Sequence, residues 1–211
     1  MSQASDQRPP RHLRIATPSP WVARFAPLVP AGGPVLDLAC GGGRHARLFL
    51  DRGHAVTAVD RDTAAVADLA GDNSRARVIT ADLEDGTPPF GPGGALAGTR
   101  FAGIIVCNYL YRPLNDALVA ALAPGGVLIY ETFARGNEAF TRPRNPDHLL
   151  RAGELLDLVR GRLQVVAYEH GVVEKSPCPG VIQRICAVND LDASDREDRE
   201  PAPHPVVPPE Y

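Results

Sequence analysis

The stretch VLDLACGGGRHARLFLDRGHAVTAVDRD, Val35 to Asp62, decides the fold. An apolar run ends at Asp37. Three glycines follow, then a helical pattern from about Arg44 to Arg52 that Gly53 stops. A second apolar run, AVTAV, then ends at Asp60. Strand, glycine turn, helix and strand make a βαβ unit, and its crossover is right-handed. A glycine turn between two carboxylates suits a ligand that brings its own hydroxyls and little steric tolerance. A dinucleotide fits that description, and so does another adenosine cofactor.

The pattern continues outward. A helix is expected over Thr63–Ala70, with Gly71 as terminator, and a third strand over 76–81 (ARVITA). A fourth strand, GIIVCN (103–108), is apolar throughout and so is expected to be buried on both faces. A helix over Leu114–Ala123 stops at Pro124-Gly125-Gly126, before a fifth strand at 127–132. An amphipathic helix over 148–161 follows. The runs 163–174 and 181–189 flank the turn-rich KSPCPG and read as a hairpin. At the front, Ser19 and Pro20 are N-cap and first-turn residues of a helix that either covers the cofactor edge or packs on the sheet.

Bulk properties bound the rest. The 211 residues suffice for one full core. With 44% hydrophobic and 6% aromatic residues, that core is aliphatic. No apolar run reaches the roughly 18 residues of a membrane span. The N-terminus lacks the apolar stretch of a secretory signal, and the four cysteines have no C-x-x-C spacing. Free thiols in a reducing cytoplasm are expected. The net charge of −3 collects in the tail, which leaves the body neutral and argues against a nucleic-acid partner. The expected organisation is a flexible arm over 1–15, one domain over 16–189 and a disordered acidic, proline-rich tail over 190–211. No metal-ligand spacing is present.

Three residues favour one cofactor class. Asp37 lies inside the end of strand one, where pyrophosphate would repel it but a sulfonium or ammonium would not. Asp60 can accept from both hydroxyls of a ribose. Asp82 can accept from an adenine amine, with Leu83 against the ring.

These residues carry a resemblance. Asp37-Leu38-Ala39-Cys40-Gly41-Gly42-Gly43 resembles the D/E-x-G-x-G-x-G motif of class I S-adenosylmethionine-dependent methyltransferases. Asp60 matches the acidic residue of their second motif, Ala81-Asp82-Leu83 the third, and Leu122-Ala123-Pro124-Gly125-Gly126 the turn before strand five. Ala39 replaces a common glycine, which reads as a mild change. The resemblance implies a Rossmann-like α/β fold: a seven-stranded, mostly parallel sheet in the order 3-2-1-4-5-7-6, the seventh strand antiparallel, with helices on both faces. It implies S-adenosyl-L-methionine as cofactor, held by Asp37, Ala39, Cys40, Gly41, Gly43, Arg44, Asp60, Arg61, Asp82, Leu83 and Asn108.

Methyl transfer from a sulfonium needs position and exclusion of water more than acid–base chemistry. The acceptor is expected over strands four and five. The long connection from Glu131 to His148 carries Arg135, Arg142 and Arg144, and Arg112 faces it from strand four. Tyr111, Arg112, Glu131, Arg142, Arg144 and His148 form the candidate acceptor set. Tyr109-Leu110-Tyr111-Arg112-Pro113-Leu114, Arg142-Pro143-x-Asn145-Pro146 and Gly153-Glu154-Leu155 are similar to segments of the bacterial tellurite-resistance methyltransferases. That similarity implies a small-molecule acceptor, such as a chalcogen oxyanion, a thiol or an acid. The glycine pattern leaves an NAD(P)-dependent oxidoreductase as the alternative, along with a non-catalytic protein that binds S-adenosylmethionine.

Overall fold

The computed structural model describes residues 15–72, 75–174, 179–194 and 196–206. The arm to Arg14 and the thiol of Cys178 lie outside the described residues.

Seven strands form one sheet in the order β3-β2-β1-β4-β5-β7-β6. They are β1 (Val35–Leu38), β2 (Val56–Asp60), β3 (Ala76–Thr80), β4 (Phe101–Cys107), β5 (Leu122–Phe133), β6 (Gln164–Val173) and β7 (Gly180–Val188). The first five are parallel, and β7 runs antiparallel to both of its neighbours. The expected order is borne out, including the hairpin. An all-parallel dinucleotide sheet has no such inserted strand.

Helices cover both faces. On one side α1 (Pro20–Phe25), α2 (Arg44–Asp51) and α3 (Ala67–Asp72) supply Trp21, Phe25, Ala46, Phe49 and Leu69 to a core with Val35, Ala58, Ile105 and Ile129. On the other, α4 (Asn115–Ala120) and α5 (Glu154–Val159) bring Leu118, Leu155 and Val159 to Leu36, Leu38, Ile104 and Leu128. Alternate strand residues feed the two cores because successive side chains point to opposite faces. Burial on both sides explains the unbroken apolar run of β4.

Two elements differ from the sequence expectation. β5 begins at Leu122 and passes through Pro124-Gly125-Gly126 as an irregularity of the strand. Gly125 sits at φ 71, and its amide donates to the Asn189 carbonyl at 2.7 Å. The helix expected over 148–161 shortens to α5, because Leu150 is drawn into a bridge with Ala134 and Gly153 takes a left-handed turn at φ 75. The described part of the tail carries contacts of its own. The imidazole of His204 meets the Asp190 carboxylate at 2.6 Å, and the Ser194 hydroxyl donates to the Glu200 carbonyl.

Candidate active site

The carboxyl ends of β1 and β4 face opposite crossovers, and a crevice opens there. It is a cleft of 1490 Å³. Ala39, Cys40, Gly41, Gly42 and Arg44 line its floor. Asp60, Arg61, Asp82, Leu83 and Glu84 border it after β2 and β3, and Asn108, Tyr109 and Leu110 border it after β4, with Tyr109 near Glu84. The far end is bordered by Thr132, Phe133, Arg142, Pro143, Arg144, Asn145 and His148.

The glycine turn is built by neighbours as well as by its own residues. Ala39, Gly41 and Gly43 all have positive φ, at 53, 53 and 71. Alanine at 39 is therefore a strained residue rather than a mild replacement. Asp60 ties the turn to β2: one carboxylate oxygen accepts from the Gly41 amide at 2.8 Å and the other from the Asp62 amide at 3.1 Å. Each oxygen keeps a second lone pair for a ligand hydroxyl. Asp82 accepts from the Glu84 amide at 3.0 Å, which aims its loop along the cleft wall.

Asp37 and Gly43, expected to meet cofactor, do not border the cleft. Gly43 begins α2 and has no side chain to cap it. The buried Asp37 carboxylate serves instead, accepting from the Ala46 amide at 2.8 Å. Gly43 is aimed at the short 3-10 turn Ala64–Val66 that leads into α3: a Cβ there would stand 2.4 Å from Cγ1 of Val66.

Burial pushes the Asp37 carboxyl up to about 7, against the pull of the Ala46 amide. Its neighbour His45 is held neutral. Burial, helped by Arg44, lowers that imidazole to about 3. Nε2 of His45 accepts from the Ser19 amide at 3.1 Å, so its proton sits on Nδ1, 3.9 Å from Asp37.

Arg44 reaches across the floor, donating to the Cys107 sulfur at 3.1 Å and to the Thr17 carbonyl at 3.3 Å. Burial, then the Glu131 charge, raises the Cys107 thiol well above its ordinary range. A neutral thiol at that position is not a nucleophile.

Of the candidate acceptor set, Arg142, Arg144 and His148 border the cleft and are exposed. Among the described residues none of these three side chains makes a hydrogen bond or an ion pair. Tyr111, Arg112 and Glu131 are placed elsewhere, which corrects the expected cluster. Tyr111 closes a small pocket with Leu83, Phe90 and Pro113. Glu131 accepts from the Ser19 hydroxyl at 2.7 Å and pairs with Arg184 at 3.3 Å. Arg112 is fully engaged by the far loop. It forks onto Glu154 at 2.6 and 3.0 Å and donates to the carbonyls of Asp147 at 2.6 Å and Leu149 at 2.9 Å. Arg112 thus holds the loop that presents His148 and does not itself face the cleft. Arg135 pairs with Glu138 and is likewise outside it.

Several lining residues are absent from the expected site. Tyr109 and Leu110 follow Asn108 in the turn after β4, within the segment Tyr109–Leu114 that carries the similarity to the tellurite-resistance group. The Tyr109 hydroxyl is buried without a hydrogen-bond partner among the described residues. Ile15 and Phe133 reach the cleft only through the folding of their segments. Among the described residues no group of three or more His, Cys, Asp or Glu is placed to hold a metal ion. No helix among them is long and apolar enough to cross a membrane.

Comparison with known proteins agrees with this geometry. Residues 36–95 match the family model described as "Methyltransferase domain". No curated protein matches the chain significantly in sequence. Among solved structures, the chain is similar to the 1,6-didemethyltoxoflavin-N1-methyltransferase of Burkholderia thailandensis, which was crystallised with its substrate and S-adenosylhomocysteine. Identity is 22% over 85% of this chain and 78% of that one, with a TM-score of 0.58. TehB from Haemophilus influenzae is 16% identical over 81% of this chain and 61% of its own, with a TM-score of 0.61. The [4+2]-cyclase SpnF aligns at 15% identity and a TM-score of 0.59, over 81% of this chain and 78% of its own. At such identities the likeness is one of fold. Residues 36–95 thus match a methyltransferase-domain model in sequence, and the chain as a whole shares its fold with solved methyltransferases.

Proposed function

We propose that the protein transfers a methyl group from S-adenosylmethionine to a small anionic acceptor. The observation that carries the reading is one cleft with two unlike ends. Gly41, Asp60, Asp82 and Leu83 border one end, and the unpaired Arg142, Arg144 and His148 border the other. The residues fit the cofactor. Asp60 has free lone pairs where a ribose would offer hydroxyls, Asp82 and Leu83 suit an adenine edge and face, and Gly41 and Gly42 leave room against the backbone. Bound there, the cofactor supplies an activated methyl on a sulfonium. The chain's own work is to orient the acceptor, neutralise its charge and exclude water.

Anion recognition is supported by the contrast between the arginines. Arg47, Arg112, Arg160, Arg162 and Arg184 each have a carboxylate partner. Arg142 and Arg144 have none among the described residues, though both border the cleft. Three free thiols, at Cys40, Cys107 and Cys186, support a cytoplasmic setting for a catalytic unit spanning 16–189.

Isothermal titration with S-adenosylhomocysteine tests the cofactor half. Absence of binding at millimolar ligand to folded protein would sink the reading. For the acceptor half, Arg142→Ala and Arg144→Ala are each expected to lower kcat/KM about 10–150-fold with cofactor affinity unchanged. Wild-type turnover in both variants would remove the anion site from the loop.

A further inference from the structure

Resting on that methyl-transfer reading, we infer that the acceptor is an organic acid with a sizeable apolar body, methylated on its own ionised carboxylate without a general base. The acceptor end of the cleft is built for two kinds of contact. Arg142, Arg144 and His148 offer unpaired donors. Phe133 and Pro143 line the same end of the cleft, and Pro179, Leu110 and Ile15 line it elsewhere. Phe133 is 7% exposed, so its ring contributes an edge to the cleft wall. A bare inorganic oxyanion would use the arginines and leave that surface in water. An acid with a hydrocarbon or aryl body would cover it, gaining about fourfold in affinity for each methylene buried.

Size points the same way. Pockets for a single drug-sized ligand run to about 300–1,000 Å³. The cleft, at 1490 Å³, has room for the cofactor and for an acceptor well beyond a few atoms.

Apart from His148, the titratable groups deep in the cleft are poorly placed to take a proton, which suits a nucleophile that arrives ionised. His45 is held neutral near 3, and its Nε2 is already occupied by the Ser19 amide. The Cys107 thiol and the Tyr109 hydroxyl are both pushed up by burial and by nearby carboxylates. Glu131 is shared between Ser19, Arg184 and the Cys107 thiol. A carboxylate needs none of them. Its oxygen attacks the methyl carbon as the carbon–sulfur bond breaks, and that bond's electron pair stays on sulfur. The carboxylate and sulfonium charges cancel, and the products are a methyl ester and a thioether, with no proton to place.

The test uses the full chain saturated with S-adenosylhomocysteine and titrated with acetate, hexanoate, 3-phenylpropanoate, 3-phenylpropanamide and selenite. Affinity should rise from acetate through hexanoate to 3-phenylpropanoate. The amide should bind at least about tenfold more weakly than the acid, as expected for a lost charge-assisted contact. Phe133→Ala should flatten the dependence on body size, and Arg142→Ala should flatten the acid–amide difference. With S-adenosylmethionine, the acids should give methyl esters by mass spectrometry. Selenite or acetate binding as tightly as 3-phenylpropanoate would overturn the inference. So would equal binding of acid and amide, or no ester from any acid while S-adenosylhomocysteine binds. Loss of S-adenosylhomocysteine binding itself would instead refute the methyl-transfer reading.

Discussion

Gly43→Ala separates two meanings of the glycine turn. In the sequence, Gly43 belongs to a motif that opens space for a ligand. In the structure it opens space for the 3-10 turn Ala64–Val66 that leads into α3. The new methyl would stand 2.4 Å from Cγ1 of Val66 and 3.6 Å from Cδ1 of Leu69. Val66 is fully buried, so it has nowhere to retreat. The φ of 71 adds a left-handed penalty of about 1–2 kcal/mol for an L-residue. Overpacking adds about 1–3 kcal/mol. The stiffer unfolded chain returns about 0.4–1 kcal/mol. The net loss is about 1–5 kcal/mol, a fall in Tm of roughly 2–18 °C for a domain of this size. Thermal melts of the single variants and of Gly43→Ala/Val66→Ala check it. Val66→Ala alone should cost about 2–3 kcal/mol. In the double variant the added methyl fills the vacated space, so the pair should cost about 1–2 kcal/mol less than the sum. Titration with S-adenosylhomocysteine runs alongside. A Gly43→Ala protein that melts like wild type but has lost its ligand would refute the packing argument and put Gly43 against the cofactor.

Four other outcomes are expected. Asp60→Ala should weaken S-adenosylhomocysteine by about 2–3 kcal/mol, roughly 30–150-fold, part of it from the freed Gly41 amide; unchanged affinity would misplace the ribose. Arg112→Ala should raise the acceptor KM and leave cofactor affinity intact, and Arg112→Lys should restore little, since a single ammonium cannot make the fork and both carbonyl contacts. Ala39→Gly should relieve about 1–2 kcal/mol of strain against about 0.4–1 kcal/mol of chain entropy, so Tm should hold or rise by a few degrees; a fall would mean the methyl is needed for packing. Asp37, raised in the fold, loses its contribution as pH climbs from about 4 through 7, whereas His45, lowered in the fold, loses its contribution as pH falls from 6.5 toward 3. The two slopes oppose each other between about 4 and 6.5, so Asp37→Asn should expose the His45 slope and lose stability on acidification more steeply than wild type; parallel pH profiles would count against the pair.

The order of the strands followed from the family resemblance, while the alternation of apolar runs, glycine turns and helical patterns was enough to place the seven strands and the closing hairpin. Those features are local: strand burial, crossover hand and turn chemistry are written within some thirty residues of each other. The same locality made Asp60, Asp82 and Gly41 legible as cleft residues, because a strand end that opens on a crevice is marked by its own neighbours. Long-range partnerships were not legible. Asp37 reads as a ligand carboxylate until α2 folds over it and takes its charge as a cap. Arg112 reads as a third acceptor arginine until Glu154, 42 residues away, and two loop carbonyls claim it. The strain at Ala39 is invisible in a one-letter code, because φ is set by the closure of the turn on Asp60. Sequence lists which groups are available for charge and packing. Only the tertiary structure decides which of them satisfy one another and which, like Arg142 and Arg144, are left over for a ligand.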